Sequence, residues 1–152
     1  MAVTASGLFV ATFVDALDTT QLALDLDLET HKGALYPNSI TPDFDAAAAS
    51  AAFAAGVFSG TEITGTNWAT GGVALTGTTF VGASGTATFD ATDVSVASTT
   101  ISSARCYMLY ADALAGNNAI VLVNFGADYS TSNGTFAITW NASGIFTLDL
   151  TP

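Results

Sequence analysis

The sequence predicts an all-β fold: a single-domain β-sandwich or jelly-roll-like domain over residues 1–152, with one or two short peripheral helices. Three observations predict it. Residues 135–140 and 145–150 alternate apolar and polar side chains, the period-2 signature of a half-buried strand. Short β-like runs recur along the second half, punctuated by Gly71-Gly72, Gly82 to Gly85, Asn133-Gly134 and the stretch from Asn141 to Gly144. Half of the 152 residues are hydrophobic, so one domain has ample material for a core without disulfides or metals.

Along the chain, residues 6–17 place Phe9, Val10, Phe13, Val14 and Leu17 at spacings of three and four, which predicts a short amphipathic helix. Their β-branched and aromatic character leaves a strand as the alternative. From Leu24 to Glu29 apolar and acidic residues alternate strictly, predicting a half-buried strand or an extended edge segment. Residues 30–36 read as a second strand, stopped by Pro37-Asn38-Ser39. Residues 45–56 are Ala-rich; Ala favours helix, Asp43 or Asp45 offers a cap and Gly56 a stop. A ten-residue helix does not persist alone, so this segment reads as a docked helix or an arm.

Residues 61–64 read as a short edge pairing, residues 73–80 as one strand and residues 86–89 as another, with 94–97 continuing the ladder. Residues 99–110 form the longest β-like run, and the apolar stretch 119–125 reads as a central strand buried on both faces. Asn133-Gly134 and Asn141 to Gly144 read as hairpin turns. Leu109, Val121, Val123, Phe136, Ile138 and Trp140 are the expected core.

Charge restricts function. Thirteen acidic residues face two basic ones, Lys32 and Arg105, for a formal net charge of −11. Nucleic-acid binding needs clustered cations to replace phosphate counterions, and two cannot serve; anionic membrane surfaces are disfavoured for the same reason. No apolar stretch approaches the ~18 residues of a membrane span, and residues 1–4 lack the basic start of a secretory signal. With charged residues at only 10%, Thr, Ser, Asn and Gly must supply the polar surface, as suits a chain packed against neighbours. The expected partner is a protein with a neutral or basic surface.

Chemistry fails on inventory. His31 is the single histidine, Cys106 sits in an apolar run, and no nucleophile elbow, Walker loop, dinucleotide fingerprint or zinc set is present. No catalytic residue, cofactor or metal is expected. Asp25, Asp27 and Glu29 would share one face of a strand, but neighbours on a face stand ~6.5–7 Å apart, too far to hold one cation without other loops. They read as a solvated acidic stripe or a contact for a basic partner. Asp90 and Asp93 flank a turn and are expected to cap backbone amides.

Several stretches resemble a known family: Trp68-Ala69-Thr70-Gly71-Gly72-Val73-Ala74-Leu75-Thr76-Gly77; Phe89-Asp90-Ala91-Thr92-Asp93-Val94 through Thr99-Thr100-Ile101 to Ala104-Arg105; and Val123-Asn124-Phe125-Gly126-Ala127-Asp128-Tyr129-Ser130 through Asn133-Gly134 to Trp140. Leu26-Asp27 to Leu35 is similar as well. Together they resemble small virion proteins of tailed bacteriophages with capsid decoration (cement) or minor capsid roles. The chain departs from that pattern at Val96, where an aromatic is expected, and over Ala46 to Ala55. The resemblance implies a structural protein without catalytic residues, made in the bacterial host cytoplasm. It implies binding to the major capsid protein on the outer surface of an icosahedral head, often as trimers at local three-fold positions. A neck, tail or fibre component is the alternative. Expected partner contacts are Phe9, Phe13, Leu17, Asp25, Asp27, Glu29 and Phe53.

Overall fold

The computed structural model describes residues 2–27 and 30–151. It is an all-β domain with two antiparallel sheets and one short helix. The elements are β1 (Gly7–Leu8), α1 (Val10–Leu17), β2 (His31–Tyr36), β3 (Val73–Ala74), β4 (Thr79–Ala83), β5 (Thr86–Asp90), β6 (Val94–Ala111), β7 (Ala119–Ile138) and β8 (Phe146–Asp149). One sheet has the order β1-β7-β6-β2-β3 and the other β4-β5-β8.

The frame is the long β6–β7 hairpin, which pairs from Val94↔Ile138 to Tyr110↔Ala119. β2 lies antiparallel on β6, from His31↔Ala111 to Tyr36↔Cys106. Side chains alternate across a pleated strand, and here both faces are buried. Tyr107, Leu109 and Ala111 enter one core with Leu35, Ile120 and Val121. Cys106, Met108 and Tyr110 enter a second with Ala34, Tyr36 and Leu122. The three-stranded sheet covers the first core through Phe89 and Phe146, aided by Trp68, which meets Phe136 edge-on at 5.3 Å. The six expected core residues all belong to this first core or pack against it, Val123 and Trp140 as half-buried members.

The second core is covered without regular structure. Residues 38–58 lay Ile40, Phe44, Ala51 and Phe58 over the sheet, together with Val3 and Phe9 from the N-terminal segment. The Ala-rich segment is therefore neither helix nor free arm. It is a series of turns ending in a 3₁₀ turn at Gly56–Phe58, fixed to the sheet by a bridge between Ala52 and Asn118. The Ala119 N–H donates to the Ala51 carbonyl and the Phe53 N–H to the Asn117 carbonyl, both at 2.9 Å. Small side chains let this backbone approach the sheet closely, and those tertiary bonds override Ala's helix propensity.

Other expectations are corrected. The helix begins at Val10 rather than residue 6, because Gly7 and Leu8 pair with Leu122 and Val121. Residues 22–27 form no strand; they are irregular, the Leu24 N–H donating to the Leu22 carbonyl at 2.7 Å, and turn at Leu26-Asp27, while Leu28 and Glu29 lie outside the described residues. The expected strand 73–80 is two strands in different sheets, parted at residues 75–78, where Gly77 takes φ +62°. Asn133-Gly134 is not a hairpin turn: it sits inside β7 with Gly134 opposite Thr99, Asn133 in the left-handed region at φ +51°. A bulge and a tight turn both demand that conformation, so both select Asn and Gly. The Asn141-to-Gly144 connection is a turn, but it carries the chain to the other sheet, where β8 pairs with β5 rather than β7.

Candidate functional site

The helix α1 decides where apolar surface remains open. Phe9, just before it, is fully buried and meets Phe44 and Phe58 edge-on at 5.4 and 5.8 Å. Thr12 is also fully buried, its Oγ1 donating to the Ala119 carbonyl at 2.6 Å. A helix that turns Phe9 and Thr12 inward must turn positions offset from them outward. Val10 and Val14 are accordingly 48% and 50% exposed, and Leu17 is 89% exposed. These three form an i, i+4, i+7 row leading off the end of the helix.

That row ends at a cleft of about 650 Å³. One wall is the end of α1, with Phe13, Ala16 and Leu17; another is the segment 22–27; the third is the three-stranded sheet, with Phe80 and Leu148. Phe13 meets Phe146 edge-on at 5.9 Å and ties the helix to that sheet. The 22–27 wall is held by backbone bonds: the Leu22 N–H donates to the Asp15 carbonyl (2.8 Å), and Thr78 Oγ1 donates to the Asp27 carbonyl (2.8 Å). His31, buried on β2, places Nε2 3.0 Å from the Asp25 carbonyl oxygen. The alternation read from Leu24 on does not survive as alternating exposure: Leu24 and Asp25 are both half-buried, Leu26 is buried, and all of residues 22–27 line the cleft.

The rim is acidic. Asp25 and Asp27 line the cleft, and Asp15 and Asp18 stand on the adjoining helix end. Asp25 Oδ1 accepts the Asp27 N–H at 3.0 Å, and Asp18 Oδ1 accepts the Thr20 N–H at 2.7 Å. The two basic side chains are paired elsewhere, Lys32 with Asp112 at 2.9 Å and Arg105 with Asp128 at 2.7 Å. Among the described residues no group of three or more His, Cys, Asp or Glu is arranged to share a metal ion.

Of the residues expected to contact a partner, the structure brings Phe13, Leu17, Asp25 and Asp27 to this one cleft. Phe9 belongs to the second core, and half-buried Phe53 stacks on Tyr110 with ring centroids 4.5 Å apart, so both do packing work within the chain. Glu29 lies outside the described residues. Sequence reasoning missed Phe80 and Leu148 as lining residues. Leu148 sits in a correctly read alternating run and Phe80 at the end of the run 73–80 that the structure divides, but which sheet face meets the helix depends on strand order. Asp90 and Asp93 do cap amides, accepting from Ala91 and Trp140, both at 2.9 Å.

The single cysteine is enclosed. The Cys106 thiol is fully buried, and loss of solvation pushes its pKa up to about 12 despite Arg105 beside it. A second hollow, about 440 Å³, follows the bend of β7 past Phe125, Tyr129, Thr131 and Ile138 and carries no charged side chain. No family model matches the chain, and no curated protein or solved structure is significantly similar to it.

Proposed function

We propose that this chain is a structural protein of a tailed-phage particle: a capsid decoration protein that binds the major capsid protein on the outer surface of the head and stabilises the shell by protein contacts. The observation that carries the reading is the open apolar cleft with Asp25 and Asp27 on its rim. Such a surface suits docking to another protein. The wider surface agrees. It draws its polarity from Ser, Thr, Asn and Gly, and both basic side chains are engaged in ion pairs. The resemblance in residues 68–77, 89–105 and 123–140 supplies the virion setting. In this role the chain works as a homo-oligomer, a trimer by that resemblance, and modest contacts per copy are multiplied by the symmetry of the shell. The role calls for no cofactor, catalysis, nucleic acid or membrane.

The test is reconstitution. Purified protein is mixed with heads made without it, and the heads are sedimented. Saturable co-sedimentation at a fixed copy number, with heads that then withstand higher temperature, is expected. Absence of binding to heads, with capture by isolated tails or fibres instead, would move the protein to another part of the virion.

A further inference from the structure

We propose that the outer edge of β7 is a strand-addition site, which takes an extended, uncharged peptide segment of a partner protein as a further strand of the five-stranded sheet. Only the identity of the protein that carries the segment rests on the virion reading. Among the described residues, β1 is the one strand on that side of β7, and it reaches only Leu122 and Val121. The N-terminal segment extends the cover to Asn124, whose N–H donates to Ser6 Oγ at 2.8 Å and whose Nδ2 donates to the Val3 carbonyl at 3.3 Å. From Phe125 to Ile138, β7 pairs among the described residues on one side alone, with β6. A strand directs backbone groups to both sides, so the second side of this stretch leaves a row of N–H and C=O groups to solvent.

The hollow of about 440 Å³ runs along this edge. Its walls come from β7 and the residue after it, with none from β6 or the second sheet. Thr135, Phe136, Ala137, Ile138 and Thr139 all line it, although consecutive side chains of a strand point to opposite faces. Only the edge of a strand touches both faces at once, so the hollow marks the path of the next strand. Left-handed backbone at Gly126 (φ +77°) and Asn133 (φ +51°) bends β7 and brings Phe125 and Tyr129 to the same hollow. Bulges blunt a sheet edge, but Phe136, Ala137 and Ile138 pair with β6 in unbroken register, so this arm keeps a straight edge.

The edge selects its occupant. A row of backbone donors and acceptors is matched by another extended backbone, so the ligand is a peptide strand rather than a helix. The hollow carries no charged side chain, and Asp128, the one charged residue from Phe125 to Ile138, is paired with Arg105. A Lys, Arg, Asp or Glu entering the hollow would lose hydration and gain no partner there. The segment therefore alternates apolar residues, directed toward Phe125, Phe136 and Ile138, with Ser or Thr. A second copy of the chain fits less well. Pairing β7 with β7 about a two-fold axis brings hollow to hollow, and Phe136 and Ile138, buried in their own core, cannot fill the partner's.

The experiment uses the whole chain, isotope-labelled, titrated with the end-capped peptide Ser-Thr-Val-Thr-Val-Thr-Ser. Binding is expected to shift the amide signals of Tyr129 and of Thr135 to Thr139, and to slow hydrogen exchange at alternate amides of that arm by roughly tenfold or more. A peptide of the same sequence with every central amide N-methylated keeps the side chains and loses the donors, and should bind at least tenfold more weakly. Replacing both valines of the peptide by glutamate should weaken it as much. Ala137→Glu sets a charge beside the hollow at a position that the fold leaves exposed, so it retains the native spectrum and loses most peptide binding. Tyr129→Ser, at a side chain 51% exposed, is the second variant with the same expectation. Equal binding of the N-methylated peptide, shifts confined to other surfaces, no binding at all, or protection of the same amides by self-association without peptide would overturn the proposal. Heads separate the two readings. Decoration of heads by protein that ignores the peptide overturns the edge assignment and leaves the virion role standing. Peptide binding along β7 by protein that ignores heads overturns the virion role and leaves the edge.

Discussion

Gly33 shows how one atom sets the central packing. It lies on β2 opposite Leu109, and a Cβ there would overlap the ring of Tyr107, which is fully buried and meets Trp140 edge-on at 5.7 Å. The missing side chain is what admits the ring beneath the strand. Gly33→Ala therefore forces the Tyr107 ring or the strand to move, and should destabilise by ~1–3 kcal/mol in urea unfolding; an unchanged midpoint would show that the ring has room to shift. Buried hydroxyl and thiol groups give a second expectation. Burial raises the pKa of Tyr36, Tyr107 and Tyr110 as well as Cys106, chiefly because the charged form loses its solvation. For a group whose folded pKa exceeds its unfolded value, the unfolded chain releases its proton first, and stability falls as pH rises through that interval. The unfolded thiol ionises near ~8.5 and unfolded tyrosines near ~10. The urea midpoint should hold from pH 7 to about 8.5 from these groups and then fall steadily toward pH 11. A midpoint flat to pH 11 would mean that these side chains reach water in the folded state.

At the scale of elements, α1 separates what the chain keeps for itself from what it leaves open. Phe9→Ala removes a fully buried ring from the second core and should cost ~3–5 kcal/mol, whereas Leu17→Ser should stay within ~0.5 kcal/mol. Comparable losses in thermal unfolding would place Leu17 in the core and contradict the helix orientation. The sequence held the 3.6-residue spacing of this helix but not its rotation. Phe9, Phe13 and Leu17 read as one face, and Thr12, a polar residue, took the innermost position because the Ala119 carbonyl was there to accept its hydroxyl. Strands β2, β5, β6 and β8 and the two ends of β7 were legible because alternation or sustained apolar character marks them in one dimension, whereas the middle of β7 carries neither and its Asn133-Gly134 read as a turn. The Ala-rich segment was not, since its conformation comes from bonds to residues 117–119, more than sixty positions away. Half of the candidate site was legible for the same reason: Leu17, Asp25 and Asp27 announce themselves as apolar or acidic residues in a local pattern, while Phe80 and Leu148 join them only through the order of strands in the second sheet.

For the whole molecule, the two faces of the five-stranded sheet have different roles. One is closed by irregular chain from residues 38–58 and the N-terminal segment, and the other by a second sheet whose margin leaves the cleft. The result is a β frame, negative overall, with one row of open apolar side chains, Val10, Val14 and Leu17, leading to a cleft that Asp25 and Asp27 also line. In the proposed virion role, a shell that repeats the partner surface many times multiplies a modest contact per copy. A cryo-EM reconstruction of the tailed particle in which the chain is proposed to reside tests that role most directly. The account predicts symmetry-related density for the domain on the outer face of the head, with the end bearing the open side chain of Leu17 turned toward the major capsid protein. Density for the domain only in the neck, tail or fibres, or its absence from the particle, would contradict it.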